Sequence, residues 1–98
     1  MIEVRQTEAF RDWLEKLRDR RAAAKIAARL ARLELGNFGD AEPVGEGVSE
    51  LRSHYGAGFR AYLARRGEVL VIMVCGGDKS SQDLDIKRAK KMARELET

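Results

Sequence analysis

The sequence predicts an α+β fold with its elements in the order β-α-α-β-β-β-α. Three observations predict it: apolar residues recur at helical spacing early in the chain, strand-like runs separated by turn residues follow, and a capping pattern precedes a last helical stretch. A chain of 98 residues is long enough for one hydrophobic core and too short for a second substantial domain. We therefore expect a single domain spanning residues 1–98.

The amino-terminal part is expected to form a strand and a helical hairpin. Ile2 to Arg5 alternates apolar and polar residues, and Thr7 is a suitable N-cap for the helix that follows. Gly36 with Asn37 is expected to end the second helix. Each helix carries an apolar stripe that should face the core: Phe10, Trp13, Leu14 and Leu17 in the first, then Ala23, Ile26, Ala27, Leu30 and Leu33 in the second.

A meander of three strands is expected in the second half of the chain. Residues 38–47 hold three glycines and the only proline, so this stretch should be a loop or at most a short edge strand. The strands are expected at 48–53, 59–65 and 68–75, and the last is apolar at successive positions, as in a strand covered on both faces. Gly76-Gly77 should end it. A capping box, Ser80 to Asp83, should then begin the final helix.

The net charge of +3 is unevenly placed along the chain. Arg18 to Arg32 holds six basic residues against Asp19, whereas residues 34–50 hold five acids and no base. Such a basic helix either presents a solvated face or meets an anionic partner. The longest apolar run, Val69 to Cys75, is far shorter than the ~20 residues that span a bilayer. With no signal-peptide pattern, a cytoplasmic protein without membrane association is expected.

The only cysteine, Cys75, has no cysteine or histidine companion at zinc-ligand spacing. It is therefore expected to be a small buried hydrophobic residue. Neither a metal nor a cofactor is expected.

Basic side chains near neighbouring predicted strands form the candidate site. Arg52 and Arg60 flank the turn between the first two strands of the meander, and Lys79 follows the third. If the strands pair in order, the two arginines lie close together. Adjacent arginines either enclose an anion, such as a phosphate whose growing charge they would stabilise, or one of them pairs with Glu50 or Asp78.

The segment Gly76-Gly77-Asp78-Lys79-Ser80-Ser81 joins the last strand to the final helix. It is either a phosphate cradle or an ordinary turn. It is not a Walker A loop, because Asp78 directly precedes Lys79 where that motif requires a glycine, so nucleotide hydrolysis is unsupported.

Three further side chains lie in or near the turn between the first two strands of the meander, and each is interpreted in two ways. Tyr55 and Tyr62 either stack on a base or donate a hydrogen bond to a phosphate, or else pack against the sheet. His54, the only histidine, is more typical of a surface position than of a catalyst.

Three motifs in order resemble a known family. Val48-Ser49-Glu50-Leu51-Arg52, then Tyr55-Gly56-Ala57-Gly58-Phe59-Arg60-Ala61-Tyr62, then Cys75-Gly76-Gly77-Asp78-Lys79-Ser80-Ser81-Gln82 with Asp85-Ile86 are similar to HigB-like addiction-module killer proteins of the RelE/ParE superfamily. The resemblance runs over about the whole chain. It implies a RelE-like fold: a twisted antiparallel sheet, an N-terminal helical hairpin and a C-terminal helix. It also implies a type II toxin that cuts mRNA on the ribosome without a metal.

The resemblance implies roles for individual residues. Arg52, Arg60 and Lys79 would be catalytic, holding and polarising the phosphate that the ribose 2′-hydroxyl attacks. The implied RNA-binding residues are Tyr55, Tyr62, Gly77, Ser80 and Gln82, with Gln82 supporting the phosphate pocket. The chain departs from the family's pattern where Ala57 replaces a proline and Phe59 a tyrosine. The missing hydroxyl weakens a tyrosine general base and leaves the proton acceptor unassigned.

A partner protein is also implied by the resemblance. A cognate antitoxin, typically a small helix-turn-helix protein, is expected to dock on the basic helix through Arg21, Lys25, Arg29 and Arg32. Two other functions stay open: a ParE-like toxin that binds a type II topoisomerase and cuts nothing, and a non-catalytic nucleic-acid-binding module.

Overall fold

A computed structural model describes residues 1–53 and 55–96 of the chain. Within them it shows three helices and five strands, which confirms the predicted α+β class. The elements are β1 (Glu3–Gln6), α1 (Glu8–Lys16), α2 (Arg20–Glu34), β2 (Ala41–Gly45), β3 (Val48–Arg52), β4 (Arg60–Arg66), β5 (Leu70–Gly77), a short 3₁₀ turn (Lys79–Ser81) and α3 (Gln82–Glu95). None of these helices is long and apolar enough to cross a membrane.

The five strands form one sheet in the order β1-β5-β4-β3-β2. Strands β3, β4 and β5 pair antiparallel as the predicted three-stranded meander, and β2 adds the short edge strand foreseen as a possibility around Pro43. The sheet is nevertheless mixed, not wholly antiparallel, because β1 pairs parallel with β5. Sequence periodicity shows which residues share a face of a strand, but it does not show whether two distant strands pair parallel or antiparallel. The prediction of an antiparallel sheet was therefore wrong for β1 and β5.

The helices cover both faces of the sheet. Helices α1 and α2 pack on one face, where Phe10, Ile26 and Leu33 meet Leu63 and Met73. Helix α3 covers the other face, whose core includes Val48, Tyr62, Ala64, Ile72, Val74, Cys75, Ala89 and Ala93. Strands β4 and β5 therefore supply side chains to both cores. The apolar run predicted this for β5 alone.

The helix ends show which local predictions hold. Thr7 caps α1 as predicted: its hydroxyl accepts a hydrogen bond from Phe10 N at 3.1 Å and donates one to Val74 O at 2.7 Å. Helix α2 ends as predicted at Gly36, whose φ of 87° lies in the left-handed region. Its N–H bonds Leu33 O, and the next N–H bonds Arg32 O, which is the Schellman pattern.

The start of α3 differs from the predicted capping box. Asp78, two residues earlier than the predicted cap, accepts hydrogen bonds from the backbone N–H and the hydroxyl of Ser80 at 2.8 and 2.5 Å. A 3₁₀ turn results, and α3 begins only at Gln82. Ser81 precedes it without a side-chain capping bond. The prediction was wrong because Asp78 is a competing cap, and it takes the first free N–H.

Candidate functional site

One end of the sheet brings the predicted catalytic residues together. Arg52 of β3 lies opposite Arg60 of β4, and Arg60 lies opposite Gly77 of β5, so the three form one row across the sheet. Lys79 lies two positions after Gly77 in the chain, and the turn residue Gly58 lies between Lys79 and Arg60. A Cβ on Gly58 would come within 3.4 Å of both Arg60 Nη1 and Lys79 Cβ.

A buried carboxylate, Glu50, holds this row in place. Its side chain is 1% exposed and accepts hydrogen bonds from Arg52 Nε at 2.9 Å, Tyr62 Oη at 3.0 Å and Gln82 Nε2 at 2.9 Å. Arg60 Nε completes the group as an ion pair, 3.5 Å from Glu50 Oε2. The two arginines were expected either to enclose an external anion or to find an acidic partner within the fold. The structure shows the second arrangement, and both arginines pair with Glu50. We call these five residues the Glu50 cluster.

The cluster fixes the protonation of its two weak acids. Burial raises the pKa of Glu50, but the hydrogen bonds from Arg52, Gln82 and Tyr62 and the charge of Arg60 outweigh it, so the pKa is lowered. Burial, together with the charge and hydrogen bond of Glu50, raises the pKa of Tyr62. Near neutral pH Glu50 is therefore ionised and Tyr62 keeps its proton.

The arginines are fixed by other contacts as well. Arg52 Nη2 also donates to Glu42, and 34% of the Arg52 side chain is exposed. Arg60 Nη1 donates to Gly58 O at 2.7 Å, and 12% of its side chain is exposed. Lys79, in contrast, is exposed to solvent. An anion at this end of the sheet would meet the exposed Lys79, the partly exposed Arg52 and only the small exposed part of Arg60.

The two glycines that end β5 are required by packing. A Cβ on Gly76 would lie 2.4 Å from a ring carbon of Trp13, and one on Gly77 would lie 1.8 Å from Asp85 Oδ2. Asp85 also accepts a hydrogen bond from Ser81 Oγ at 2.5 Å. Because Asp78 and Asp85 already bind donors of this segment, its geometry is that of a strand-to-helix turn with side-chain carboxylates in place of an external anion.

The residues expected to contact RNA lie in different surroundings. Tyr62 is fully buried, so in this conformation its ring cannot stack on a base; it serves to hold Glu50. Gln82 supports the same carboxylate, and Ser80 is exposed. Tyr55 is partly buried, with Lys25 Nζ 5.3 Å from its ring centroid. His54 lies outside the described residues.

The four residues of α2 that were predicted to meet an antitoxin are one anchoring arginine and three exposed cations. Arg29 donates hydrogen bonds to the carbonyl oxygens of Arg52, Phe38 and Asp40 at 2.8, 3.2 and 3.1 Å, so it ties α2 to the chain around β2 and β3. The other residues predicted to meet an antitoxin, Arg21, Lys25 and Arg32, are exposed. The sequence offered no indication that Arg29 differs from its neighbours, because its partners are backbone carbonyls.

Two adjoining depressions run along this face of α2. One, of about 450 Å³, is lined by Lys25, Arg29, Arg32, Arg52 and Tyr55 among others, and the next, of about 460 Å³, by Arg21, Ala24, Lys25, Ala28 and Tyr55. They share Lys25, Ala28 and Tyr55. The sequence did not predict that Tyr55 would lie against α2.

Comparison with known proteins gives one relative of nearly the same length. The chain is 54% identical over 95 residues to a protein of Haemophilus influenzae (strain ATCC 51907 / DSM 11121 / KW20 / Rd) that is described as an uncharacterized protein. The match covers 97% of this chain and 96% of that protein. No family model matches the chain, and no solved structure matches it significantly. The relative's description states no activity.

Proposed function

The chain belongs to the same family as the Haemophilus influenzae protein, and we propose that it is a type II toxin that cuts mRNA on the ribosome and so arrests translation. The observation that carries the proposal is the row formed by Arg52 and Arg60 with Lys79 beside it. Three cations at one sheet end are suited to a phosphodiester, because guanidinium and ammonium groups donate charge-assisted hydrogen bonds to phosphate oxygens.

The order of the elements supports a RelE-like fold for this toxin. Two helices precede the meander and one follows it, as the resemblance to the RelE/ParE superfamily implies. The parallel pairing of β1 and the additional edge strand β2 are the departures from the expected sheet. Neither changes the end of the sheet where Arg52 and Arg60 lie.

In the proposed reaction the ribose 2′-oxygen attacks the adjacent phosphorus. A new bond forms between them, and the bond from phosphorus to the 5′-oxygen breaks, which leaves a 2′,3′-cyclic phosphate and a 5′-hydroxyl. The 2′-hydroxyl proton passes to water, and the leaving oxygen takes a proton from water. Lys79, Arg52 and Arg60 stabilise the negative charge that accumulates on the phosphoryl oxygens.

Neither buried acid of the cluster is suited to moving these protons. Glu50 is ionised, but it is buried and already accepts three hydrogen bonds, while Tyr62 donates one of these hydrogen bonds, keeps its proton and has a raised pKa. Without an assigned base, catalysis depends on placing the RNA correctly. This supports a requirement for the ribosome, and free RNA should be cut slowly or not at all.

The test uses Lys79, because it is exposed and its replacement leaves the Glu50 cluster intact. Induced expression of the wild-type chain in a bacterial host should stop growth, and mapping of RNA 5′ ends should show cuts within coding sequences. Lys79→Ala should lose both effects while its thermal midpoint stays nearly unchanged. The matched control is Lys91→Ala, which removes an exposed lysine from α3 and should behave as wild type.

Three results would contradict the proposal. Full toxicity of Lys79→Ala would place the site elsewhere. Growth arrest without mRNA cuts, together with inhibition of a type II topoisomerase, would establish the ParE-like alternative. Rapid, metal-dependent cleavage of naked RNA would rule out the mechanism given above.

A further inference from the structure

We propose that the surface along α2 binds the single-stranded RNA that leads to the candidate site. We call it the α2 trough: it consists of the two adjoining depressions, whose lining includes Arg21, Ala24, Lys25, Ala28, Arg32 and Tyr55. The inference rests on the proposed function, since it assigns the path of that same substrate. It assigns Arg21, Lys25 and Arg32, which were expected to contact an antitoxin, to substrate binding instead.

The charge of the trough suits a polyanion. Arg21, Lys25 and Arg32 lie on one exposed helix face, at positions that span about 16 Å along the axis. Among the described residues, the lining holds one acidic residue, Asp40. Cations in a row along a helix can follow a phosphate backbone, and each contact releases a counterion.

The only aromatic ring in the described lining of the trough lies between these cations. Tyr55 belongs to both depressions, is partly buried, and has Lys25 Nζ 5.3 Å from its ring centroid. A ring beside a cation can stack on one base while the cation binds the adjoining phosphate. Bases of a single strand are available for such stacking, whereas those of a duplex are already stacked on one another.

The trough lies next to the candidate site. Arg52 lines the first of the two depressions, and Arg29 joins α2 to the Arg52 carbonyl with a hydrogen bond of 2.8 Å. A strand lying along α2 would therefore reach the end of β3, from which the row of Arg52 and Arg60 continues across the sheet.

A protein partner fits the trough less well than RNA does. Docked helices are held by large apolar anchors in apolar pockets. Within the described part of the chain, no leucine, isoleucine, valine, methionine or phenylalanine lines the trough. The large apolar residues of α2, Ile26, Leu30 and Leu33, face the core instead.

The experiment measures binding without cleavage. The probe is a short fluorescein-labelled single-stranded RNA with 2′-O-methyl groups, which blocks attack by the 2′-oxygen, and anisotropy is recorded at low salt. Tyr55→Leu should bind roughly 5-fold or more weakly than wild type, whereas Tyr55→Phe, which keeps the ring, should bind like it. Lys25→Ala should weaken binding and lower the slope of log K against log salt by about 0.7. Lys91→Ala is the control, because α3 covers the opposite face of the sheet.

Several outcomes would overturn the inference. The inference fails if Tyr55→Leu and Lys25→Ala both bind the RNA as wild type does, or if Lys91→Ala weakens binding as much as they do. It also fails if the wild-type chain binds a duplex as tightly as the single strand, or does not bind the single strand. If these variants bind RNA normally but no longer form a complex with an antitoxin encoded beside the gene, the trough is a protein-docking face instead. If Tyr55→Leu loses RNA but the wild-type chain arrests no growth, only the proposed function fails. If growth arrest depends on Lys79 but the trough variants bind normally, only this inference fails.

Discussion

At the scale of single residues, Glu50 decides what the two arginines can do. Its carboxylate is buried and accepts three hydrogen bonds, and Arg60 adds an ion pair. Arg52 and Arg60 would repel each other as direct neighbours across two strands if no anion lay between them. Glu50 supplies that anion within the fold, so both guanidinium groups are oriented before any ligand arrives.

Replacing Glu50 with glutamine should destabilise the protein and impair the site together. The amide keeps the shape but removes the charge that faces Arg52 and Arg60, and we expect a loss of about 1–3 kcal/mol in the free energy of unfolding. Urea titration would measure it. The matched control is Glu46→Gln: Glu46 is exposed and pairs with Arg94 at 2.7 Å, so a change within about 0.5 kcal/mol is expected. Equal effects of the two substitutions would show that the cluster is not special.

The stabilisation that Glu50 provides should also depend on pH. Because the folded-state pKa of Glu50 is lowered below its ordinary value of 4.5, its ionised form stabilises the fold above that value. This stabilisation should fall as the pH drops below 4.5 and through the folded pKa. The difference in thermal midpoint between wild type and Glu50→Gln should therefore be large at pH 7 and shrink on acidification. A difference that grows on acidification would contradict the lowered pKa.

Sequence reasoning located the residues of this site better than their partners. Arg52 and Arg60 were predicted to be neighbours because a meander in order places them across one turn, and the register shows them opposite each other. That both would share one buried carboxylate was not predicted, since alternation shows only that Glu50 and Arg52 lie on one face. Nothing in the sequence distinguishes a tyrosine that binds a base from one that is buried against a carboxylate, so the role of Tyr62 also required the structure.

At the scale of elements, the junction of β5 and α3 is determined by close packing. Trp13 of α1 lies against Gly76, and Asp85 of α3 lies against Gly77. The junction therefore fixes helices from both faces of the sheet to the same two residues. The glycine pair was predicted to end the strand or to hold a phosphate, because a sequence does not show which side chain will lie above a missing Cβ.

A double-mutant cycle should demonstrate the packing at Gly77. Gly77→Ala places a Cβ 1.8 Å from Asp85 Oδ2, so the side chain or the helix must shift, and a loss of about 1–3 kcal/mol is expected. Asp85→Ala removes the obstructing carboxylate at the cost of its hydrogen bond from Ser81. In the double variant, the added cost of the alanine at position 77 should be much smaller than in the wild-type background. Strictly additive free energies from urea titration would mean that Asp85 is not the obstacle.

At the scale of the whole molecule, the two central strands join two cores. Strands β4 and β5 contribute Leu63 and Met73 to the face covered by α1 and α2, and Tyr62 and Val74 to the face covered by α3. A register shift after Tyr62 pairs it with Cys75 while Leu63 pairs with Met73, and both Val74 and Cys75 belong to the α3 core. The apolar pattern predicted a strand covered on both sides, but one extra residue in β5 cannot be read from that pattern.

Unfolding should therefore be a single cooperative transition, and two unique residues can report on the two faces. Trp13 packs against the core under α1, and Cys75 is fully buried in the core under α3. Burial raises the pKa of the Cys75 thiol to about 11, so the folded protein should react slowly with a thiol reagent near neutral pH. Neither core can lose its packing while β4 and β5 stay in place for the other, so tryptophan fluorescence and pulsed thiol labelling should give the same urea midpoint. Labelling of Cys75 at a urea concentration where Trp13 fluorescence is still native would instead show that α3 separates first and that the two faces are independent.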